Sequence, residues 1–190
     1  METPMTKCVV LLVATLMGSG VALAQSAGDA KSLSQVLDSD VSTLEGELVP
    51  AAEAMPEDKY GYAPTGGEFK GVRTFAAQVK HVAAVNYLVA AAILGEKPPV
   101  DTGGESGPAT VTSKADIVSF AKKSFEYAHK AVASITPANA TLPVQSPFGD
   151  NKTTRLGLAN VVAWHGFDHY GQMAVYLRSN GIVPPASRGQ

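Results

Sequence analysis

The chain carries the sequence WHGFDHYGQ at residues 164–172, within the last and longest of its helical patterns. In this stretch His165 and His169 are four residues apart. Positions i and i+4 share one face of a helix, so both imidazoles can reach the same ion. The pair alone also fits two core histidines satisfied by hydrogen bonds, or a solvated polar face, because buried polar atoms need partners of any kind.

A third histidine, His81, lies in an Ala- and Val-rich helical pattern earlier in the chain. The positions within about 60° of it on a helix are mostly apolar: Thr74, Ala77, Gln78, Ala84, Val85, Leu88 and Ala92. Its imidazole should therefore point into the fold, facing the pair on the last helix. Three imidazole ligands suit zinc and its neighbours and leave a coordination position for water or substrate. The sequence thus predicts a metal site of His81, His165 and His169.

The remaining histidine, His129, has different surroundings. The apolar stripe of its helix is centred near Ala121, Phe125, Ala128 and Val132, and its own neighbours are Lys122, Glu126 and Lys130. This pattern predicts a surface residue rather than a ligand.

Outward from the histidines, the chain divides into four helical patterns with Pro- and Gly-rich breaks between them. No stretch alternates apolar and polar residues long enough to indicate a sheet. The helices are predicted at about 30–54, 72–94, 113–135 and 153–180. Ser113 and Asp116 resemble a capping box, and Gly95 is a typical helix end. The expected architecture is an all-α four-helix bundle in one domain, residues 25–190, about 30 to 40 Å long.

Residues 1–24 have the layout of a cleavable secretory signal: Lys7, an apolar run from Val9 to Met17, and small residues ending at Ala24. An uncleaved membrane anchor is the alternative, but the run is shorter than the roughly 20 residues that span a bilayer. We therefore expect a periplasmic or secreted protein that begins at Gln25 and has no stable membrane insertion.

Composition excludes several classes of function. The formal net charge is -2, so no basic surface for nucleic acid is expected. Cys8 is the one cysteine and lies in the signal segment, which excludes disulfides and thiol nucleophiles from the mature protein. The chain also has no Cys-x-x-Cys-His motif for haem attachment.

Two blocks of the sequence resemble the DinB-like and YfiT-like family of helical bundles. The first comprises residues 55–60 and 62–65 with Phe75 and His81, and the second comprises residues 165–172, 176–178 and 181–185. The resemblance implies the family's bundle fold over nearly all of the mature chain. It also implies His81, His165 and His169 as ligands, commonly of zinc or nickel, with homodimers frequent. Members of known chemistry are mostly cytoplasmic enzymes that add or use small thiols.

The leading functional hypothesis is a metal-dependent enzyme of hydrolase or thiol-transferase type. Asp168, Gln172, Tyr176 and Tyr60 are candidates for acid/base roles or for outer partners of the metal ligands. A non-enzymatic periplasmic binder of metal or small molecules, or a stress-related interaction protein, is the alternative. A purely structural bundle without metal is the third reading.

Overall fold

The structure is a computed structural model that describes residues 30–189, of which residues 31–189 belong to one compact unit. The predicted all-α four-helix bundle is confirmed, with α1 Leu33–Ala54, α2 Phe75–Leu94, α3 Lys114–Ala133 and α4 Arg155–Ser179. Two short 3₁₀ helices, Glu57–Lys59 and Pro185–Ser187, lie in the connections. The predicted signal segment lies outside the described residues.

Each of the four α-helices begins at a hydroxyl side chain that accepts a hydrogen bond from the backbone N–H three residues later, which satisfies one of the free donors of the first turn. The capping residues are Ser32, Thr74, Ser113 and Thr154. The predicted cap at Ser113 is thus confirmed. Gly95 ends α2 in the left-handed conformation, with φ of 73°, as its position in the sequence predicts.

The second helix is the core of the bundle. It packs against α3 and α4, and α1 packs against the same two helices. Among the described residues, α2 is the one helix that is long and apolar enough to cross a membrane. However, 72% of its apolar stretch is buried inside the fold. Burial on almost every face explains its composition, since a helix enclosed by others is apolar all round.

The connection between α3 and α4 differs from the loop expected there. It forms a small antiparallel hairpin in which Pro143–Gln145 pairs with Lys152–Thr154. Each strand has three residues, too few for an alternating pattern to be visible in the sequence. The hairpin packs against α2 and places Phe148, in its connecting turn, near the histidines.

One side-chain placement, that of His129 on α3, corrects the sequence analysis. His129 is only 27% exposed rather than a surface side chain, and it lies between two carboxylates of α1. Its Nδ1 is 2.6 Å from Asp38 Oδ1, and its Nε2 is 3.1 Å from Glu45 Oε2. A helical wheel of α3 alone carries no information about these acidic residues on the neighbouring helix.

Gly166, between the two histidines of α4, marks the close approach of α4 to α1. A Cβ atom at this position would lie 2.1 Å from Cδ2 and 3.1 Å from Cγ of Leu44. Leu44 is fully buried, so it has little room to move aside. The absence of a side chain at residue 166 therefore sets the distance between the two helices beside the histidine cluster.

Candidate metal centre

His81 from α2 and the pair from α4 converge as the sequence predicts. The ring centroids are 4.9 Å apart for His81 and His165, 4.7 Å for His81 and His169, and 4.5 Å for His165 and His169. One ring nitrogen from each residue lies within 4.8 Å of the other two. His81 and His169 are buried and His165 is half-buried, so the cluster is most accessible to solvent on the side of His165.

Two of the rings have a nitrogen fixed by a hydrogen bond. His81 Nδ1 is 2.6 Å from the backbone oxygen of Glu105, and His169 Nδ1 is 2.5 Å from Oε1 of Gln78. Both partners are oxygen acceptors, so each Nδ1 must donate, and in a neutral imidazole the Nε2 atom then carries the lone pair. The two lone pairs are available to a shared ion.

The environment of His165 fits a positively charged centre. Its Nε2 lies 3.0 Å from Nε2 of His81, and its Nδ1 is buried with no hydrogen-bond partner among residues 30–189. If Nε2 is unprotonated, two lone pairs face each other and require a cation; if it is protonated, Nδ1 remains a buried acceptor without a donor. Imidazole is a ligand of zinc, nickel, copper and iron, so the donor set fits a divalent metal ion.

The carbonyl group that holds His81 belongs to a glycine-rich loop closely packed on α2. Lys80 Nζ donates to the backbone oxygen of Pro108 at 2.7 Å. Gly107 has a φ of 79°, and a Cβ there would lie 2.9 Å from Cβ of Lys80. Only glycine permits this conformation at this distance without strain. The loop therefore reaches the helix closely enough for Glu105 to orient His81.

Burial lowers the pKa of all three clustered histidines, because a charged imidazole loses hydration inside the fold. The pKa of His165 falls to about 4, through burial first and then through the neighbouring histidines. Burial and the proximity of His81 lower the pKa of His169 to about 4, and burial lowers that of His81. Asp168 opposes the shifts at His165 and His169 without cancelling them. The rings are therefore neutral near pH 7, the state that binds metal.

These pKa shifts predict the pH dependence of stability in metal-free protein. Between about pH 4 and 6.5 the unfolded chain binds more protons than the folded one at these histidines, so their contribution to the free energy of unfolding should rise with pH across this window. Urea unfolding with a chelator, at several pH values, measures the slope. The variants His165→Asn and His169→Asn should each flatten it, and an unchanged slope in both would contradict the assignment.

His129 should affect the pH dependence of the free energy of unfolding in the opposite direction. Burial lowers its pKa, but the hydrogen bonds and charges of Asp38 and Glu45 together outweigh burial and raise it. Its contribution to stability is therefore complete below about pH 6.5 and is lost as the pH rises through the folded-state pKa. His129→Asn should remove a decline above pH 6.5 and leave the slope below it unchanged.

The four acid/base candidates divide into two pairs. Gln172 and Asp168 are linked to the cluster, since Gln78 Nε2 donates to Gln172 Oε1 at 2.8 Å and Gln172 Nε2 donates to Asp168 Oδ2 at 3.0 Å. Tyr176 instead donates to the backbone oxygen of Arg73 at 3.1 Å, just before α2. Its hydroxyl thus ties α4 to the start of that helix.

Tyr60 is in the core, where its hydroxyl donates to the backbone oxygen of Ala52 at 2.6 Å and its ring packs edge-on against Phe75. Burial raises the pKa of its phenol. A phenol committed to a backbone acceptor, with a raised pKa, is poorly suited to exchange protons near neutral pH.

Sequence reasoning missed two residues that orient the histidines. Gln78 lies one turn before His81 and is 1% exposed; its presence on an otherwise apolar face is a signal that a buried partner exists. Glu105 acts on His81 through its backbone oxygen. No residue type specifies a backbone carbonyl, so the sequence contains no comparable signal for it.

A cavity of about 270 Å³ adjoins the cluster on the side of His165. Its other lining residues are Val85, Glu105, Phe148, Val161 and Trp164. Two of its aromatic side chains are unusually exposed, Trp164 at 61% and Phe148 at 40%. Apolar walls with a few convergent polar groups are typical of small-molecule sites, and this cavity is near the small end of their usual size.

The fold and the cluster together define a four-helix bundle with a three-histidine site that could hold a metal ion in its interior. The family model of the DinB superfamily matches residues 42–173, more than half of the chain, and the chain belongs to that superfamily. The matched span includes all three histidines. Comparison with curated proteins gave no match.

Proposed function

We propose that this protein is a metal-dependent enzyme that acts on a small, largely apolar molecule, by hydrolysis or by transfer of a thiol. The observation that carries the proposal is the convergence of three imidazoles beside a cavity that opens to solvent. Three protein ligands leave coordination positions for a water molecule or substrate, which distinguishes catalytic from structural sites. Zinc or nickel is the proposed ion.

The roles of the chain's own residues follow from their positions. His81, His165 and His169 would hold the ion, which when bound supplies Lewis acidity and lowers the pKa of a bound water or thiol. The apolar walls beside His165 would receive the apolar part of the substrate. Glu105 is the one acidic residue that lines the cavity among the described residues, so its carboxylate is the proposed proton acceptor there.

Export is part of the proposal. The signal-like layout of residues 1–24 supports a mature protein that starts at Gln25 and acts in the periplasm or outside the cell. A mature sequence that starts at Gln25 contains no cysteine, so an oxidising compartment could form no disulfide within it.

Turnover assays on protein loaded with zinc or nickel test the proposal. We expect chelator-sensitive hydrolysis of 4-nitrophenyl acetate, or transfer of glutathione to 1-chloro-2,4-dinitrobenzene. His169→Ala should abolish the reaction, because the metal is lost. Trp164→Ala should raise KM several-fold more than it lowers kcat, since the indole lines the cavity and is not one of the proposed metal ligands.

Leu142→Ala is the matched control, because this exposed apolar side chain lies outside the cavity, and its KM should equal that of the parent. Turnover that survives chelation would refute metal dependence. Stoichiometric zinc binding without turnover in either assay would favour the alternative, a non-enzymatic binder of metal or small molecules.

A further inference from the structure

Four side chains form a continuous hydrogen-bonded series that leads from the metal centre to the surface. His169 Nδ1 is 2.5 Å from Gln78 Oε1, Gln78 Nε2 is 2.8 Å from Gln172 Oε1, and Gln172 Nε2 is 3.0 Å from Asp168 Oδ2. Gln78 and His169 are buried, Gln172 is half-buried and Asp168 is exposed. The series therefore runs from the buried imidazole of His169 to the solvated carboxylate of Asp168.

The carboxylate of Asp168, at the exposed end of the series, determines which atom donates and which accepts in every hydrogen bond. An ionised carboxylate only accepts hydrogen bonds, so the amide nitrogen of Gln172 must face Asp168. The amide oxygen of Gln172 then faces Gln78, so it must accept a hydrogen bond from the amide nitrogen of Gln78. The oxygen of Gln78 is left for His169, whose Nδ1 must carry the proton.

We propose that Asp168 is a positioning residue that fixes, through Gln172 and Gln78, the nitrogen with which His169 binds metal. Each amide has two orientations, and the carboxylate selects one of them at both positions. With Nδ1 protonated, the lone pair is on Nε2, which is the nitrogen that would bind a shared ion. The functional meaning of this inference rests on the proposed metal centre, whereas the choice of tautomer does not require an ion.

The other ligand with a fixed tautomer provides an internal contrast. His81 donates to the backbone oxygen of Glu105, which cannot reverse its polarity. Its tautomer is therefore independent of any side chain. His169 depends instead on two reversible amides, so it needs an anchor whose polarity is constant, and Asp168 provides it.

Histidine ¹⁵N chemical shifts test the proposal, because they report which ring nitrogen carries the proton. In metal-free protein at pH 7, His81 and His169 should both be protonated at Nδ1. In Asp168→Ala the amides can reverse, so His169 should show a substantial population protonated at Nε2 while His81 is unchanged. Asp40→Ala, which removes an exposed helical carboxylate elsewhere, should leave both rings as in the parent.

A rescue variant separates the proposed role from a general structural effect. A carboxylate at residue 78 can only accept, so it should orient His169 without help from Asp168. The double variant Asp168→Ala with Gln78→Glu should therefore restore protonation at Nδ1. Zinc affinity should fall by about 10- to 100-fold in Asp168→Ala and recover in the double variant, as expected for outer partners of metal ligands.

Two outcomes overturn the inference: a His169 ring that stays fully protonated at Nδ1 in Asp168→Ala, or a double variant in which the mixed tautomers persist. The experiments test the proposed metal centre and the proposed role of Asp168 independently of each other. If the parent protein does not bind zinc, the proposed metal centre fails, whereas the tautomer shift on mutation of Asp168 still decides the positioning role.

Discussion

Replacing His81, His165 or His169 with alanine should reduce zinc affinity more than losing an outer partner of a metal ligand does. Loss of an outer partner costs about 10- to 100-fold, whereas each of these substitutions removes a proposed ligand itself. Free zinc at a thousand times Kd stabilises the folded parent by about 4 kcal/mol. For a domain of this size, that corresponds to a rise in Tm of roughly 8 to 16 °C. We expect this rise to disappear in all three variants.

Bound zinc and Tm, each measured with and without chelator, provide the test. The difference between the two Tm values matters, because it cancels the effect of each substitution on the metal-free fold. His129→Ala is the matched control: it loses two ion pairs but should retain the full zinc-dependent rise. The assignment of ligands is wrong if His129→Ala abolishes the rise while His81→Ala retains it.

Gly166→Ala should destabilise the metal-free bundle by about 1 to 3 kcal/mol, the usual cost of overpacking a core. The new methyl group would occupy the position of the Leu44 side chain, and both residues are buried between α1 and α4. Because residue 166 follows His165 directly, separation of the helices should also weaken zinc binding. Urea unfolding with a chelator measures the first effect, and titration with zinc the second.

Gly171→Ala is a matched control on the same helix, since this glycine is exposed and a Cβ there meets nothing within 4 Å. Alanine favours the helix over glycine by about 1 kcal/mol. The substitution should therefore stabilise the protein, so the two glycine variants are expected to change stability in opposite directions. Equal stabilisation by both would show that α1 and α4 can separate at little cost beside the cluster.

The four helices and the convergence of the histidines could be predicted because both depend on local periodicity. Helical spacing places His165 and His169 on one face, and it directs His81 into an apolar interior, independent of how the helices are connected. Helix ends at Ser113 and Gly95 follow from capping preferences that act within a few residues. These features required no knowledge of tertiary contacts.

Apart from the hairpin, the missed features are contacts between segments distant in sequence. The bonds of His129 to Asp38 and Glu45 depend on how α1 faces α3, and those of Gln78 depend on how α2 faces α4. The hairpin depends on pairing between two strands too short to show a pattern. A sequence read one helix at a time identifies polar residues on a face but not their partners.

The placement of the three clustered histidines on α2 and α4 also has a topological consequence. His81 and His165 are separated by 84 positions, and the segment between them contains all of α3 and the hairpin. An ion held by both residues would close this segment into a ring, as a disulfide would, but without cysteine and reversibly with pH or chelator. Ring closure lowers the entropy of the unfolded chain, and the gain increases only slowly with ring size. Such a cross-link would hold α2 and α4 together during partial opening of the fold. The amide protons of α3 and the hairpin, which lie within the ring, should therefore exchange more slowly once the ion binds.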